Sequence, residues 1–224
     1  MNTYEVKSDI RQKVTIWIAI ISLIGGNALF RFSNLGATLL AKHFSVIADF
    51  LVQWEYLGIL SSQITVATVF AFISWLFNKH LWQIPCINKF LGVPNLNGIW
   101  EGVLESSFQE NGVYKKIDMK LEIAQTWNRM TCTSIFPSSR SFSDLVRLDS
   151  ESSQGTMLKF TYTNHSEDLS SELTQFAGYN ELRLDDANTL RGTYYTKRTP
   201  STRGTILLTR RIPEGEINES LNVR

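Results

Sequence analysis

The stretch GIWEGVLESSFQENGVYKKIDMKLEIAQT, residues 98–126, decides the fold of this chain. In its second half, apolar residues occupy every other position from Ile117 to Ile123, and charged residues occupy the positions between them. This period of two is typical of a β-strand that buries one face. The turn residues Glu110-Asn111-Gly112 separate the two halves, so the stretch is predicted to form two strands, 98–107 and 114–126.

Six further segments with the same period follow at even spacing, joined by short connections that contain turn residues. They are predicted to be strands at 128–136, 140–149, 155–164, 171–183, 189–198 and 203–211. Eight strands without helical stretches between them indicate an all-β domain, an up-and-down barrel over residues 98–211, although a sandwich is the alternative. Such a barrel has room inside for its side chains or for one small ligand. Residues 212–224 are expected to be a flexible tail.

Residues 1–84 have the composition of a membrane region. Val14 to Phe30 carries no charge, and Leu57 to Phe77 is an uncharged run of 21 residues. Since a helix rises about 1.5 Å per residue and the hydrocarbon core is about 30 Å thick, two spans are predicted, at about 14–31 and 57–77. A cleavable signal peptide is the alternative for the first run. The Ser, Thr and Gln residues of the second run would pack either on the first helix or on copies of the second.

The segment 33–55 between the two spans is predicted to be amphipathic. Its apolar residues recur at helical spacing from Leu35 to Trp54, while charged residues in its middle make a third span costly. We expect it to lie on the outer membrane surface, with Ser33-Asn34 as its helix cap. More basic residues lie outside the pair of spans than between them, so the positive-inside rule places both termini and the barrel in the cytoplasm.

The composition changes sharply after the second span. Residues 1–97 hold seven Lys or Arg and four Asp or Glu, whereas residues 98–224 hold fifteen and seventeen. Pro85, Pro94 and the Asn-rich run before Gly98 break the helical pattern. Residues 85–97 are therefore predicted to be a linker.

No catalytic or metal-binding pattern is apparent in the barrel sequence. Its histidine, His165, lies in a polar, turn-like segment, and no HExxH, paired-cysteine, G-x-S-x-G or phosphate-loop motif occurs. Cys86 and Cys132 are far apart in the chain and are expected to be reduced. The net charge of +1 gives no support for binding to a nucleic-acid duplex. We therefore expect neither an enzyme nor a bound cofactor or metal.

Basic and aromatic residues concentrate near the end of the predicted barrel. Residues 190–211 contain six basic residues and no acidic one, with two tyrosines among them. Because guanidinium groups pair with phosphate and rings stack on bases, this pattern favours a ligand in which phosphates are attached to bases. A solvated outer surface is the alternative. The candidate ligand-binding residues are Tyr162, Arg191, Tyr194, Tyr195, Lys197 and Arg203. Neighbours on a strand point to opposite faces, so at most one of Tyr194 and Tyr195 can line the interior.

The opening Gly98-Ile99-Trp100 resembles the Gly-x-Trp motif that begins lipocalin-like barrels. In those barrels the indole plugs one end, and a late basic residue covers it. Arg210 or Arg211 is expected to supply this cover through a cation–π contact.

The order of parts and three short motifs, NLNGIWEG (95–102), RGTYY (191–195) and RGTILL (203–208), resemble the bacterial CBASS membrane effectors of the two-transmembrane, β-strand-rich class. The resemblance implies that the barrel binds a cyclic dinucleotide made by a partner nucleotidyltransferase during phage infection. It also implies homo-oligomerisation, disruption of the lipid bilayer of the inner membrane, and cell death. Two other functions remain open: a membrane-tethered barrel that binds lipid or another hydrophobic ligand, and a structural assembly protein.

Overall fold

The predicted barrel forms in the computed structural model, which describes residues 2–4, 8–41, 58–110, 112–150, 152, 155–167 and 175–211. Within these residues eight strands, β2 to β9, each pair antiparallel with the next, and β9 pairs back with β2. The strands are β2 Gly98–Glu110, β3 Val113–Gln125, β4 Arg129–Phe136, β5 Ser139–Asp149, β6 Met157–Ser166, β7 Gln175–Asp186, β8 Thr189–Lys197 and β9 Arg203–Arg210. The up-and-down barrel is confirmed, and the sandwich is excluded.

A two-residue strand at the N-terminus, β1 (Asn2–Thr3), extends the barrel wall. It pairs antiparallel with the start of β4, with Asn2 opposite Met130. There β4 and β5 diverge, because their pairing covers only the four residues Thr133–Phe136 of β4. The next residue of the N-terminal segment, Tyr4, is buried, and its hydroxyl accepts a hydrogen bond from Gln125 Nε2 at 3.3 Å. Residues 2–4 therefore belong to the barrel unit.

One end of the barrel is closed by Trp100, as the Gly-x-Trp motif predicts. The indole is fully buried, and its Nε1–H donates to the carbonyl of Leu96 at 3.0 Å. The Arg210 guanidinium carbon lies 4.5 Å from the centroid of the Trp100 rings, and Arg210 Nη2 donates to the carbonyl of Asn95 at 2.6 Å. Arg211 instead lies on the outer surface beside Glu101. Arg210 therefore supplies the predicted cation–π cover.

The segment 85–97, predicted to be a linker, is ordered and packed within the barrel unit. It begins with a short helix, α3 (Pro85–Leu91), because proline at the first helical position lacks only an N–H that would have no intrahelical partner. The helix ends at Gly92 in the left-handed conformation. Val93 and Leu96 beyond it are buried. Gln125 donates hydrogen bonds to Asn97 Oδ1 and the Pro94 carbonyl and accepts them from the Leu96 amide and Asn97 Nδ2, which holds this segment across the closed end.

Two long helices make up the second unit: α1 (Ser8–Ala41) and α2 (Gly58–Lys79). Among the described residues, one segment, Asp9–Phe32 in α1, is long and apolar enough to cross a membrane. The described apolar part of α2, Thr65–Lys79, is shorter. Helix α1 continues without a break through 33–34, so the predicted cap of a separate amphipathic helix is wrong at that point. Most of the predicted amphipathic segment, residues 42–55, lies outside the described residues.

The two long helices pack together where α1 carries a glycine. A Cβ on Gly26 would lie 2.8 Å from the Cα of Val66 in α2, whereas a Cβ on Gly25 would meet nothing within 4 Å. The buried Ser22 lies one turn before Gly26, and its hydroxyl donates to the carbonyl of Ile18 at 2.6 Å. The second helix thus packs on the first at Val66, and the predicted packing of its Ser, Thr and Gln residues stays a prediction.

Candidate ligand-binding cavity

The interior of the barrel changes from apolar to polar along its axis. Toward Trp100 it is filled by buried apolar side chains, among them Leu121, Leu148, Leu158, Leu182, Leu190 and Leu208. Along β6 the inward residues are Leu158, Phe160, Tyr162 and Asn164, in that order. Buried polar side chains gather toward the other end: Ser106, Ser134, Ser141, Asn164, Asn180, Thr196 and Thr202. Buried polar groups cost free energy unless they are hydrogen-bonded, so their concentration at one end distinguishes this half of the barrel from the apolar half.

A cavity of about 610 Å³ opens at the polar end. This volume lies within the range of about 300–1,000 Å³ that is typical of small-molecule sites. The residues that line it include Tyr162, Asn164, Tyr194, Thr196, Arg198 and Thr202, together with Lys115 from β3. The opposite end, closed by Trp100, is the end at which the chain enters the barrel at Gly98.

Two buried tyrosines contribute the aromatic surface of the cavity. Tyr162 on β6 and Tyr194 on β8 are each 6% exposed. Inward-facing glycines make room for both rings: a Cβ on Gly178 would overlap the Tyr162 ring, and a Cβ on Gly204 would lie 2.9 Å from Tyr194 Cε1. Burial raises the pKa of Tyr162 above its ordinary value, the nearby Tyr194 raises it further, and Arg198 lowers it. The phenol is therefore protonated at neutral pH and can donate a hydrogen bond.

Short hydrogen bonds fix the polar side chains of the cavity wall. Asn164 Nδ2 donates to Ser141 Oγ at 2.8 Å and to Ser139 Oγ at 3.2 Å. The hydroxyls of Thr196 and Thr202 lie 2.9 Å apart, and the amide of Thr202 donates to Thr196 Oγ1 at 2.9 Å. These bonds join β5 to β6 and the end of β8 to the start of β9. The cavity is therefore preorganised, which lowers the entropic cost of binding a ligand.

The guanidinium group of Arg198 lies at the mouth of the cavity. Arg198 follows directly after β8, and its Nη2 donates to Thr202 Oγ1 at 3.3 Å. Its guanidinium carbon lies 5.2 Å from the centroid of the Phe176 ring, a cation–π contact that steadies the side chain. Its other guanidinium donors make no hydrogen bond within the described residues, and a planar guanidinium matches the geometry of a phosphate group.

Beneath the cavity, two buried polar atoms have no hydrogen-bond partner among the described residues: Ser134 Oγ and Asn180 Oδ1. Asn180 is paired across the strands with Phe160 and Tyr194, so it belongs to the same region of the barrel as the cavity floor. No group of three or more His, Cys, Asp or Glu able to hold a metal ion occurs in the part of the chain that the structure describes.

Of the six residues predicted from the sequence to bind ligand, the structure brings Tyr162 and Tyr194 together in the cavity. Tyr195 is 50% exposed on the outer face, as the alternation of strand residues requires once Tyr194 points inward. The side chains of Arg191, Lys197 and Arg203 are also exposed on the outer face. Arg191 forms an ion pair there with Asp185 at 3.1 Å. The outer-surface alternative thus describes most of the basic residues in 190–211.

Sequence reasoning missed Arg198 and the polar wall formed by Asn164, Thr196 and Thr202. The alternation of side chains along a strand could have identified these residues. Residues 194, 196 and 198 point to the same side of their strand, and residues 162 and 164 point to the same side of another strand. Residue type alone favoured the six basic side chains equally. Arg198 lies an even number of positions from Tyr194 and so points to the same side, whereas its neighbour Lys197 points to the opposite side.

Comparison with known proteins gives two findings about this chain. Residues 91–210 match a family model described as "Cap15, cyclic dinucleotide receptor domain". A curated protein from Yersinia aleksiciae, CD-NTase-associated protein 15, is 30% identical over 187 residues, which covers 77% of this chain and 88% of the relative. The matched family segment contains the whole barrel and every side chain of the cavity. The chain belongs to the Cap15 family.

Proposed function

We propose that this protein is an antiphage effector whose barrel cavity binds a cyclic dinucleotide made by a partner nucleotidyltransferase. The observation that carries the proposal is the polar, 610 Å³ cavity, lined by two tyrosines and a guanidinium group, inside the segment that matches the receptor family. A cyclic dinucleotide has two phosphates and two bases. Arg198 would pair with a phosphate, and Tyr194 and Tyr162 would contact the bases.

The polar wall supports a nucleotide over an apolar ligand. A lipid carrier requires an apolar cavity without basic groups, whereas here Asn164, Thr196, Thr202 and Arg198 line the space. The unpartnered oxygen of Asn180 would be costly beside a hydrocarbon chain and satisfied by a polar group. Amide and hydroxyl side chains can also distinguish bases by their hydrogen-bonding edges.

The N-terminal strand supports two membrane crossings. Because β1 pairs with β4, the segment before α1 lies on the same side of the membrane as the barrel. A chain that leaves and returns to one side must cross an even number of times, so α2 crosses if α1 does. Its 22 residues would extend about 33 Å, enough for a bilayer core. A cleaved signal peptide would remove β1 and Tyr4 from the barrel unit. We place both termini and the barrel in the cytoplasm, where the nucleotide is made.

Ligand binding would act on the membrane through self-association. The exposed face of α1 is strongly apolar, and a groove of about 590 Å³ between α1 and α2 is lined by residues of both helices, including Ala19, Leu23 and Phe70. Helices of a second copy could pack against this surface in the lipid. A ligand that prefers the assembled state would shift the chain toward it and so damage the inner membrane.

Dye release from vesicles tests this function. The full chain is reconstituted into dye-loaded vesicles, and a panel of cyclic di- and trinucleotides is added. We expect one of these nucleotides to release the dye and to move the chain into larger cross-linked species, and Tyr194→Ala to require a roughly 5- to 150-fold higher nucleotide concentration in both assays. Dye release that is independent of every nucleotide, or unchanged in Tyr194→Ala, would contradict the proposal.

A further inference from the structure

Helix α3 presents an exposed apolar face that the barrel does not cover. Leu91 at its end is buried, whereas Pro85, Cys86, Lys89 and Phe90 on the other side are exposed. Phe90 is 90% exposed, more than any other exposed large hydrophobic side chain among the described residues. These residues form two pairs four positions apart, Pro85 with Lys89 and Cys86 with Phe90, and positions four apart are neighbours on a helix surface. Ile84, 39% exposed, precedes the helix.

The orientation of this face is held by the packing that follows it. The helix ends at Gly92, whose φ of 64° is favourable for glycine. Directly beyond it, Val93 and Leu96 are buried. Phe90 therefore belongs to an ordered surface of the barrel unit, and its exposure results from the fold of that unit.

The chain length places this face close to the end of α2. Lys79 is the last residue of α2, and Ile84 follows five residues later. Even a fully extended chain covers at most about 3.6 Å per residue, so about 18 Å separates the two at most. The residues Leu81–Gln83 form a 3₁₀ turn, which rises only about 2 Å per residue and shortens the distance. If α2 crosses the membrane, as proposed above, α3 begins within about 18 Å of the residue at which α2 ends.

We propose that Cys86, Lys89 and Phe90 form a membrane-interface anchor, with Phe90 inserted at the boundary between headgroups and acyl chains. An exposed aromatic ring beside a basic residue is the composition that the interface favours, since the ring is buried among acyl chains and the ammonium reaches the phosphates. The anchor rests on the proposed crossing of α2. It would hold the barrel to the bilayer through a third attachment, besides the two chain connections to α1 and α2, so that rotation or association of the helices and movement of the barrel are mechanically linked.

An exposed cysteine in α3 allows a probe to be attached for the test. Cys86 is exposed, whereas Cys132 is buried within the barrel, and burial raises the pKa of its thiol. A thiol reagent should therefore modify Cys86 selectively, since the thiolate is the reactive species. An environment-sensitive fluorophore on Cys86 of the full chain, reconstituted into vesicles that contain nitroxide-labelled lipid, reports whether α3 contacts the bilayer.

We expect nitroxide lipid to quench the Cys86 probe and the bilayer to shield it from aqueous iodide. The matched control carries the probe at Ser138→Cys in a Cys86→Ser background, because Ser138 is exposed at the open end of the barrel, opposite the end where the chain enters. That probe should be quenched by iodide alone. Phe90→Asp should make the Cys86 probe several-fold more accessible to iodide, while the chain stays in the membrane pellet after carbonate extraction.

Three results would overturn the anchor, and they separate it from the proposed function. A Cys86 probe that is accessible to iodide in a chain that resists carbonate extraction would contradict the anchor but not the two crossings. Extraction of the chain by carbonate would contradict both the anchor and the crossings. Quenching that rises with protein density and is independent of nitroxide lipid would assign the face to contact between copies of the chain.

Discussion

Tyr194 and Tyr195 are neighbours in sequence, yet the barrel wall separates their side chains. The first lies in the cavity and the second faces outward, 6% and 50% exposed respectively. At the residue scale, the function of each side chain is therefore set by strand parity rather than by residue type. The same rule separates Arg198, at the cavity mouth, from Arg203 on the outer face.

Replacement of each tyrosine tests this separation. Loss of one base–aromatic stacking contact costs about 1–3 kcal/mol, so Tyr194→Ala should weaken nucleotide binding roughly 5- to 150-fold. Tyr195→Ala should leave the affinity unchanged. Competition binding with a labelled cyclic dinucleotide measures both variants. Equal losses in the two variants would mean that the ligand does not occupy the cavity.

The two arginines give a second matched pair. A hydrogen bond to a charged group contributes about 1.5–3 kcal/mol, so Arg198→Ala should weaken binding roughly 10- to 150-fold, and Arg203→Ala should have no effect. Arg198→Lys should recover only part of the loss, because an ammonium cannot form the bidentate contact with phosphate. The same binding assay measures all three. A larger effect from Arg203→Ala would place the phosphate on the outer face.

Burial of Tyr162 should make the barrel less stable as the pH becomes alkaline. Its pKa is raised in the folded protein, so the unfolded chain ionises first as the pH rises above about 10. The stabilisation by the neutral phenol is complete below that pH and is lost progressively above it. We expect the free energy of unfolding to fall more steeply above pH 10 in the wild type than in Tyr162→Phe, as measured by denaturant titration at several pH values. Parallel curves for the two proteins would contradict the assignment.

At the scale of elements, the sequence predicted the barrel well because its strands alternate over long runs. Ile117 to Ile123 of β3 and the inward series of β6 place the strands and their faces without tertiary information. The Trp100–Arg210 plug was predictable because Gly-x-Trp is a local motif with a known partner type. Strand β1 was not predictable: two residues carry no periodicity, and their pairing with β4 depends on the divergence of β5.

Helix α3 shows a second limit of sequence reasoning. The sequence predicts a break in the helical pattern at Pro85, although proline is compatible with the first turn of a helix. Similarly, the continuity of α1 beyond residue 33 depends on helix propagation that overrides a local capping pattern. The cavity was only partly predictable, because its polar wall consists of common residues whose role arises from shared parity on strands that lie far apart in the chain.

The packing of α1 on α2 gives a test with adjacent glycines. Gly26→Ala introduces a Cβ 2.8 Å from the backbone of Val66, so it should destabilise the helix pair by about 1–3 kcal/mol. Gly25→Ala meets nothing within 4 Å, and should be neutral or slightly stabilising, because alanine favours helix. Unfolding by denaturing detergent in mixed micelles measures the difference. Identical curves would rule out a close approach at Gly26.

The N-terminal strand should contribute measurably to barrel stability. Tyr4→Ala removes a buried ring and should cost about 3–5 kcal/mol, whereas Tyr4→Phe removes only the hydroxyl that accepts from Gln125 and should cost about 1 kcal/mol. Thermal unfolding of the barrel, followed by tryptophan fluorescence of the full chain in micelles, measures both. A midpoint unaffected by Tyr4→Ala would show that β1 is not part of the barrel.

At the scale of the whole molecule, three attachments join the sensor to the membrane region. The chain after α2 and the chain before α1 both end in the barrel unit, and α3 supplies the proposed interfacial contact. Strand β1 pairs with Arg129 and Met130 of β4, whereas Ser139 and Ser141 of β5, which border the cavity, pair with Phe136 and Ser134 nearer the other end of β4.

The central claim is that the cavity binds a cyclic dinucleotide. Isothermal titration calorimetry of the full chain in detergent micelles, against a panel of cyclic di- and trinucleotides, tests it most directly. We predict that one nucleotide binds with micromolar or tighter affinity, about −8 kcal/mol or more favourable, and that its affinity is roughly 5- to 150-fold lower in Tyr194→Ala and unchanged in Tyr195→Ala. Absence of binding by every nucleotide to the folded chain, or an unchanged affinity in Tyr194→Ala, would contradict the account.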